Sequence, residues 1–259
     1  MRKLLTVGMV LSTACCLTPT VSGDSVVLEP IKDNTICDDH DNDRSNGAGN
    51  YLHAGVADGR FINDYTRRAL LAFDIAGAVP AGATITRVVL TLHMSMTTAS
   101  ERTVELRRVL ADWGEGDSFA GRGEGEGTLA EPGDATWTHT FFDTGSWATP
   151  GGDFSAVVSA SQPGAGVAFY TWDSQDMIAD VQAWLDAPET DFGWIILGDE
   201  SEPLRNTAKR SDSRTNPEPA NRSSEGTAYP FPLTAPFGGP TVCGFARGTC
   251  DRTPVRDPG

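Results

Sequence analysis

Residues 84–96 read TITRVVLTLHMSM, and this stretch decides the fold class. Apolar side chains at Val88, Leu90, Leu92 and Met94 alternate there with Val89, Thr91, His93 and Ser95. A period of two is typical of a β-strand that turns one face to a core and the other to a semi-exposed surface. His93 is therefore interpreted as a histidine on the outer face of a strand.

Short β-branched or alternating runs recur on both sides of this stretch, separated by Gly, Pro, Asn and Asp. The predicted strands cover residues 25–29, 34–37, 51–54, 67–75, 84–96, 103–110, 135–143, 167–173, 193–198 and 207–214. One amphipathic helix is predicted from about residue 175 to 186, with Ser174 as its N-cap and Pro188 as a stop signal. Many short strands without βαβ alternation predict a mostly β protein, an antiparallel β-sandwich or jelly roll with one short helix.

Composition divides the chain into three parts. The predicted domain organisation is a signal peptide at residues 1–23, a β-sandwich domain at 24–222 and an irregular, disordered tail at 223–259. Within the domain, the segment 113–134 is rich in Gly, Glu and Asp, which predicts a surface loop.

The N-terminus has the features of a secretory signal peptide. Arg2 and Lys3 precede an apolar run at residues 4–17, and small residues lead to a cleavage site after Gly23. The run is shorter than the roughly 20 residues that cross a bilayer. We therefore expect a secreted, extracellular or periplasmic protein without membrane insertion. The alternative is lipid attachment at Cys15, although Ser12 lies where a lipobox has an aliphatic residue.

The net charge bears on the class of binding partner, and the number of cysteines bears on disulfide formation. The formal net charge of −15 becomes −17 when Arg2 and Lys3 are removed, and such a field repels nucleic acid. Three cysteines then remain, Cys37, Cys243 and Cys250. One disulfide is expected in an oxidising compartment, most simply Cys243 with Cys250, but the sequence leaves the pairing open.

Six blocks stand in order along the chain: RRALLAFDIAGAVPAGATITRVVLTLHM (67–94), ADWGEGDS (111–118), GDATW (133–137), DVQAWL (180–185), FGWIILGDE (192–200) and TAKRSDSRTNPEPANR (207–222). Together they closely resemble the DNRLRE-domain family over nearly all of residues 33–222. The resemblance implies a secreted β-sandwich module of a kind often attached to polysaccharide-degrading enzymes or surface proteins. Some relatives are classed as carbohydrate-binding modules, so the resemblance implies binding or adhesion without catalysis.

The sequence departs from the family pattern at two places. Ser211 and Thr215 stand where relatives have an aromatic and an acid around the equivalent of Arg214, which predicts that a salt bridge is missing there. After residue 222, relatives continue into a final hydrophobic strand, whereas this chain reads SSEGTAYPFPLTAPFGG (223–239). Our hypothesis is that a reading-frame change replaced the last strand and left an unpaired, aggregation-prone edge. A Val/Leu/Thr-alternating strand in another frame after codon 222 would support it.

Two sets of residues are candidate ligand sites. Asp39, Asp41 and Asp43 alternate in a loop and could turn three carboxylates toward Ca²⁺, which prefers oxygen ligands. Arg44 and Asn50 stand where an EF-hand has Gly and Glu, so the loop is not an EF-hand. The alternative is a solvated acidic turn. Asp199 and Glu200 would complete a calcium site only if the fold brings them near.

Trp113 and Trp147 lie beside Gly-rich and Pro-rich stretches, which makes them the candidate ligand-binding tryptophans, partly exposed and able to stack on a sugar ring. Core packing is nevertheless the favoured interpretation of both, because Trp is buried on average, and it is also the interpretation of Trp184 and Trp194. No nucleophile-elbow or zinc-protease motif surrounds any histidine, so no catalytic residue is assigned and no enzyme is predicted. The favoured function is polysaccharide binding or surface adhesion. The alternative is a structural envelope or matrix protein without a small ligand.

Overall fold

A computed structural model of the chain describes residues 23–39, 41–57, 65–97, 99–121, 123–201 and 206–230. Its strands are β1 (Gly23–Leu28), β2 (Lys32–Asp38), β3 (Arg44–Ser45), β4 (Tyr51–Ala57), β5 (Tyr65–Ala72), β6 (Arg87–Thr97), β7 (Arg102–Arg108), β8 (Thr128–Leu129), β9 (His139–Phe141), β10 (Gly145–Ser146), β11 (Ala160–Gly164), β12 (Ala168–Trp172), β13 (Trp194–Leu197), β14 (Lys209–Asp212) and β15 (Ser224–Pro230). The helices are α1 (Ile75–Ala78) and α2 (Gln175–Asp186), with 3-10 turns at Pro188–Thr190 and Pro219–Asn221.

The strands form two antiparallel sheets. In the first sheet, β12 pairs with one edge of β6, while β14 and β15 pair in succession with the other edge. Strand β4 then pairs with β14, and β1 pairs with β15. The second sheet runs in the order β11, β7, β13, β5 and β2, and the short strands β3 and β8 continue it. Strands β9 and β10 form a separate hairpin.

Strand β4 belongs to both sheets. Its first residues pair with β14, and from Gly55 onward it pairs with β5. Gly55 has a φ of 109°, and a Cβ there would lie 3.0 Å from the Cα of Ala208. A left-handed backbone conformation without a side chain is available to glycine at little cost. Gly55 therefore permits the strand to cross from one layer to the other.

The main hydrophobic core lies between the two sheets and is closed by α2. Its side chains include Leu90 and Leu92 from β6, Leu71 from β5, Leu106 from β7 and Trp184 from α2. The alternation predicted along β6 is confirmed, because the residues at even positions from 88 to 94 are buried and those between them are half-buried. The mostly β antiparallel sandwich is likewise confirmed.

Helix α2 follows the prediction. It spans Gln175–Asp186, and the Oγ of Ser174 accepts a hydrogen bond of 2.9 Å from the backbone N–H of Met177. A side-chain acceptor at this position satisfies one of the unpaired N–H groups at a helix start. Helix α1 was not predicted, since it is a single turn capped by Asp74.

The Gly-rich segment is more than the predicted surface loop. Residues 110–154 pack across the outer face of the second sheet, where Ile36, Leu70 and Ile195 form a second apolar cluster. Even Glu124 is buried there, and its Oε2 accepts hydrogen bonds from the Asn46 side chain and the Tyr51 backbone N–H, each 3.0 Å long. The prediction failed because backbone turns and polar contacts, which leave no hydrophobic period, hold much of this segment.

The prediction of an irregular tail from residue 223 is wrong for its first residues. Ser224–Pro230 forms β15, which fills the position between β1 and β6. The neighbouring edge is therefore paired, contrary to the reading-frame hypothesis of a missing strand. The strand was not predicted because its inward side chains at Glu225 and Thr227 are polar, so the segment has no apolar alternation. The rest of the predicted tail, residues 231–259, lies outside the described residues.

Several other predictions also fall outside the described residues. These are the signal peptide up to residue 22, the lipidation alternative at Cys15 and the pairing of Cys243 with Cys250. Cys37 is described, and it is buried and not in a disulfide. In the described ranges, no helix has the length and apolar character needed to cross a membrane.

Candidate functional site

The two tryptophans predicted to be exposed are buried. Trp113 is 1% exposed and Trp147 is 5% exposed, and both belong to the cluster under the Gly-rich segment. Their indole N–H groups donate to the backbone carbonyls of Phe192 and Thr136, each at 2.9 Å. The two candidate ligand residues are therefore wrong and the favoured core packing is right, because the segment that carries both side chains folds back onto the second sheet.

One carboxylate of the acidic loop forms an ion pair with Arg44 of the same loop. Asp39 forms an ion pair of 2.8 Å with the Nε of Arg44, while Asp41 is exposed. One carboxylate oxygen of Asp39 and one of Asp43 are buried without a hydrogen-bond partner among the described residues. Within these same ranges, no three His, Cys, Asp or Glu side chains are grouped to hold a metal ion. Calcium binding by Asp39, Asp41 and Asp43 stays a prediction from the sequence, and the ion pair of Arg44 with Asp39 argues against it.

The fold does bring Glu200 toward the start of this loop, with an arginine between them. Arg68 forms an ion pair of 2.7 Å with Glu200. Burial and the negative charges of Asp39 and Glu200 raise the pKa of Asp38, and the Arg68 guanidinium opposes that shift. Asp199 is instead paired with Arg102 at 3.7 Å. These cations leave little free negative charge for a bound metal.

An open cleft of about 320 Å³ lies beside these pairs on the second sheet. It is lined by Thr103, Glu105, Leu197, Gly198, Asp199 and Glu200. Glu105 is bound by Arg107 at 2.9 Å, so all three acidic side chains of the cleft have arginine partners. The cleft is polar but nearly neutral.

The salt bridge predicted to be missing at Arg214 is present with a different partner. The Nε and Nη2 of Arg214 donate to the two carboxylate oxygens of Glu115 at 2.6 and 2.5 Å. The backbone N–H of Arg214 also donates to Asp33 at 2.7 Å. Burial raises the pKa of Asp33 to about 7, and the nearby Glu115 carboxylate adds to this effect. The partner, Glu115, lies in the ADWGEGDS block, which is far from Arg214 in the sequence. It is not supplied by position 215, where relatives have an acid and this chain has Thr215.

The aromatic side chain best placed to meet a ligand is Phe169. It is 54% exposed on the outer face of the first sheet, on the edge strand β12. In the pairing of β12 with β6 it stands opposite His93, and the two ring centroids are 4.7 Å apart. A half-exposed ring that packs beside a second ring offers an apolar surface on which a sugar ring can stack.

A line of polar side chains continues from Phe169 across the same face. The Nδ1 of His93 contacts the Oδ2 of Asp212 at 2.6 Å, and Asp212 stands opposite Tyr51 in the pairing of β14 with β4. The guanidinium of Arg210 lies 3.8 Å from the centre of the Tyr51 ring. We call Phe169, His93, Asp212, Arg210 and Tyr51 the outer row.

The outer row spans four neighbouring strands, β12, β6, β14 and β4. Three strand spacings correspond to about 14 Å. Strand β12, at one end of the row, lies in a run without Asp, Glu, Lys or Arg that covers residues 154–172. In a chain of net charge −15, this run is the sequence signal that could have identified the face.

The residues of the outer row were not predicted from the sequence, because no local pattern joins them. Phe169 lies in a predicted strand, but its period places it on the face opposite to the buried Trp172. The contact of His93 with Asp212 joins residues 119 positions apart, and no local pattern indicates such a pair.

Comparison with known proteins assigns no family, since no protein-family model and no curated protein matches the sequence. The interpretation of the outer row therefore depends on its own geometry and on the chemistry of its side chains.

Proposed function

We propose that this chain is a secreted, non-catalytic module of the DNRLRE-domain type that binds polysaccharide through the outer row. The observation that carries the proposal is the half-exposed ring of Phe169 on the outer face of the first sheet, next to the ring of His93. Aromatic rings pack against the apolar faces of sugar rings, while a few placed polar groups orient the hydroxyls. The outer row offers both kinds of contact.

The polar members of the outer row are held in place before any ligand arrives. His93 is fixed by Asp212, and Arg210 is fixed by its contact with Tyr51 and by a hydrogen bond of 3.1 Å from its Nε to Ser95. Ordering a side chain on binding costs about 0.5–1.5 kcal/mol, so pre-ordered groups favour affinity. Arg210 keeps guanidinium N–H groups available for sugar oxygens, since within the described ranges no carboxylate forms an ion pair with it.

Affinity electrophoresis of the full chain against a panel of acidic and neutral polysaccharides tests this function. We expect at least one polymer to retard the protein, because binding slows migration through a gel that contains it. The same polymers are then incubated with the protein and assayed for new reducing ends. Retardation without reducing ends supports a binding module. Turnover of the retarding polymer would instead contradict a non-catalytic module.

The second candidate is a structural envelope or matrix protein without a small ligand. The neutral cleft on the second sheet favours it, because its carboxylates are already bound by Arg68, Arg102 and Arg107. A cleft whose carboxylates are already paired offers no free charge to orient a ligand. Absence of retardation by every polymer of the panel would favour this second function.

A further inference from the structure

Strand β1 is held in the first sheet by few contacts. It pairs with β15 in an antiparallel register that runs from Gly23 opposite Pro230 to Leu28 opposite Glu225, and its other edge has no partner among the described strands. Its apolar side chains that pack against the main core are Val26 and Leu28, and both are only partly buried. A strand that buries little apolar surface opens at a small cost in free energy.

The connection from β1 to β2 is short, although it crosses from the first sheet to the second. Residues 29–31 alone separate Leu28, at the end of β1, from Lys32, at the start of β2. The four Cα–Cα steps from Leu28 to Lys32 span at most about 14 Å, whereas the layers of a sandwich lie about 10 Å apart. The connection therefore has little slack with which to fold β1 back onto its own domain.

Two features of this connection favour an extended chain with a narrow hinge. The residue before a proline is restricted to extended backbone conformations, and Glu29 precedes Pro30 here. The far end of the connection is fixed, because the backbone N–H of Ile31 donates to the carbonyl oxygen of Ala72 on the second sheet, at 2.8 Å. The hinge between β1 and the rest of the domain is thus confined to Glu29 and Pro30.

Exposed apolar side chains stand on both sides of this hinge. Val27 is 57% exposed and Ile31 is 56% exposed. If β1 extended away from its own domain into a second copy, the hinges of the two copies would lie side by side and these side chains would meet. Removal of apolar surface from water contributes about 25 cal/mol per Å². Two joined copies therefore gain a contact that a single chain does not make.

We propose that two copies of this chain exchange β1, so that β1 of each copy pairs with β15 of the other. The partner follows from the register, because β1 of a second copy can form the same pairs with β15 that β1 forms within one chain. The exchange remakes every contact that opening breaks and adds the contact between the hinges. It is opposed by the net charge of −15 on each copy, a repulsion that salt screens. The exchange does not depend on polysaccharide binding.

Sedimentation velocity of the full chain, after prolonged incubation, tests the exchange. We expect a dimer whose fraction rises with protein concentration and with ionic strength. Val26→Asp should convert the dimer to monomer, because a carboxylate replaces a side chain that docks β1 against the core. Val157→Asp is the matched control, since Val157 is 61% exposed and lies outside β1. The control variant should dimerise like the unmodified protein.

Disulfide cross-linking identifies the strand that passes between copies. Ser25 of β1 stands directly opposite Ala228 of β15, and facing residues of antiparallel strands lie within the Cα–Cα range of a disulfide. One sample carries Ser25→Cys and the other carries Ala228→Cys, and both carry Cys243→Ser and Cys250→Ser so that these thiols cannot react. After mixing, incubation and mild oxidation, we expect a linked dimer that contains one chain of each sample.

The control for cross-linking uses a pair of strands that stay in their own domain. Thr91 of β6 stands opposite Thr171 of β12, so mixing Thr91→Cys with Thr171→Cys in the same background should give no linked dimer. A monomer at every concentration and ionic strength, or a dimer that persists in Val26→Asp, would overturn the proposal. So would the absence of a linked dimer from the mixture of Ser25→Cys and Ala228→Cys when a single chain carrying both substitutions does form the bond.

Discussion

The guanidinium of Arg214 binds the carboxylate of Glu115 through two hydrogen bonds, of 2.6 and 2.5 Å. Arg214 follows β14 of the first sheet, whereas Glu115 belongs to the Gly-rich segment that covers the second sheet. This single contact therefore ties the covering segment to the opposite layer. The forked geometry of arginine suits such a junction, because one side chain satisfies both carboxylate oxygens.

Replacement of this arginine should weaken the whole domain. We expect Arg214→Ala to lower the free energy of unfolding by about 2–4 kcal/mol, a value reduced from that of a fully buried pair because Arg214 is partly exposed. Arg214→Lys should recover only part of the loss, since an ammonium cannot reproduce the fork. Urea unfolding measures both, with Arg222→Ala as control. Equal stability of Arg214→Ala and the unmodified protein would contradict the assignment.

Beside this ion pair, Asp33 should make stability depend on pH. Its pKa is raised from 3.8 to about 7 by burial, so the folded state binds the proton more tightly than the unfolded state does. The corresponding stability is complete below about pH 4 and is lost as the pH rises through about 7. In Asp33→Asn, the decrease in unfolding free energy between these limits should be smaller by about 2–4 kcal/mol. Parallel pH profiles of variant and unmodified protein would show that Asp33 does not titrate in this way.

The burial of Trp113 leads to a prediction that separates stability from binding. Trp113→Ala should cost about 3–5 kcal/mol, because it removes a large side chain from the cluster under the covering segment. Trp113→Phe should cost less and should keep the affinity for any polysaccharide that binds the unmodified protein. Thermal unfolding and affinity electrophoresis provide the two values. Loss of binding in a stable Trp113→Phe variant would show that Trp113 takes part in ligand binding.

The acidic loop gives a prediction with a simple readout. Because Arg44 already neutralises Asp39, we expect millimolar Ca²⁺ to leave the melting temperature unchanged. A ligand that binds only the folded state raises that temperature by mass action. A rise that disappears in Asp43→Asn but persists in Asp153→Asn, a control outside the loop, would establish a calcium site there.

The elements that were predicted correctly are those with a regular apolar repeat in the sequence. The alternation around Leu90 indicated β6, and the stripe containing Val181 and Trp184 indicated α2, because burial of one face leaves a regular apolar repeat. Strand β15 was missed because its inward side chains at Glu225 and Thr227 are polar. Burial of Trp113 was favoured on average grounds, but its place on the outer face of the second sheet was missed, because it depends on a segment without any repeat folding back over that sheet.

The candidate site was still less accessible from sequence. His93 was correctly placed on an outer strand face, yet its partner Asp212 lies on another strand that only the topology brings alongside. Phe169 is likewise a candidate ligand contact only because the fold places its ring next to that of His93. Contacts between strands that are far apart in the sequence cannot be predicted from local patterns in one amino-acid sequence.

The central claim is that the outer row binds polysaccharide, and the most direct measurement is affinity electrophoresis of Phe169→Ala beside Phe119→Ala. The two phenylalanines are 54% and 53% exposed, so the two variants lose the same exposed ring from different surfaces. Stacking of a ring on its ligand contributes about 0.5–1.5 kcal/mol beyond the area buried. We therefore expect Phe169→Ala to weaken retardation by the binding polymer about tenfold or more and Phe119→Ala to leave it unchanged. Equal retardation of both variants and the unmodified protein would contradict the account.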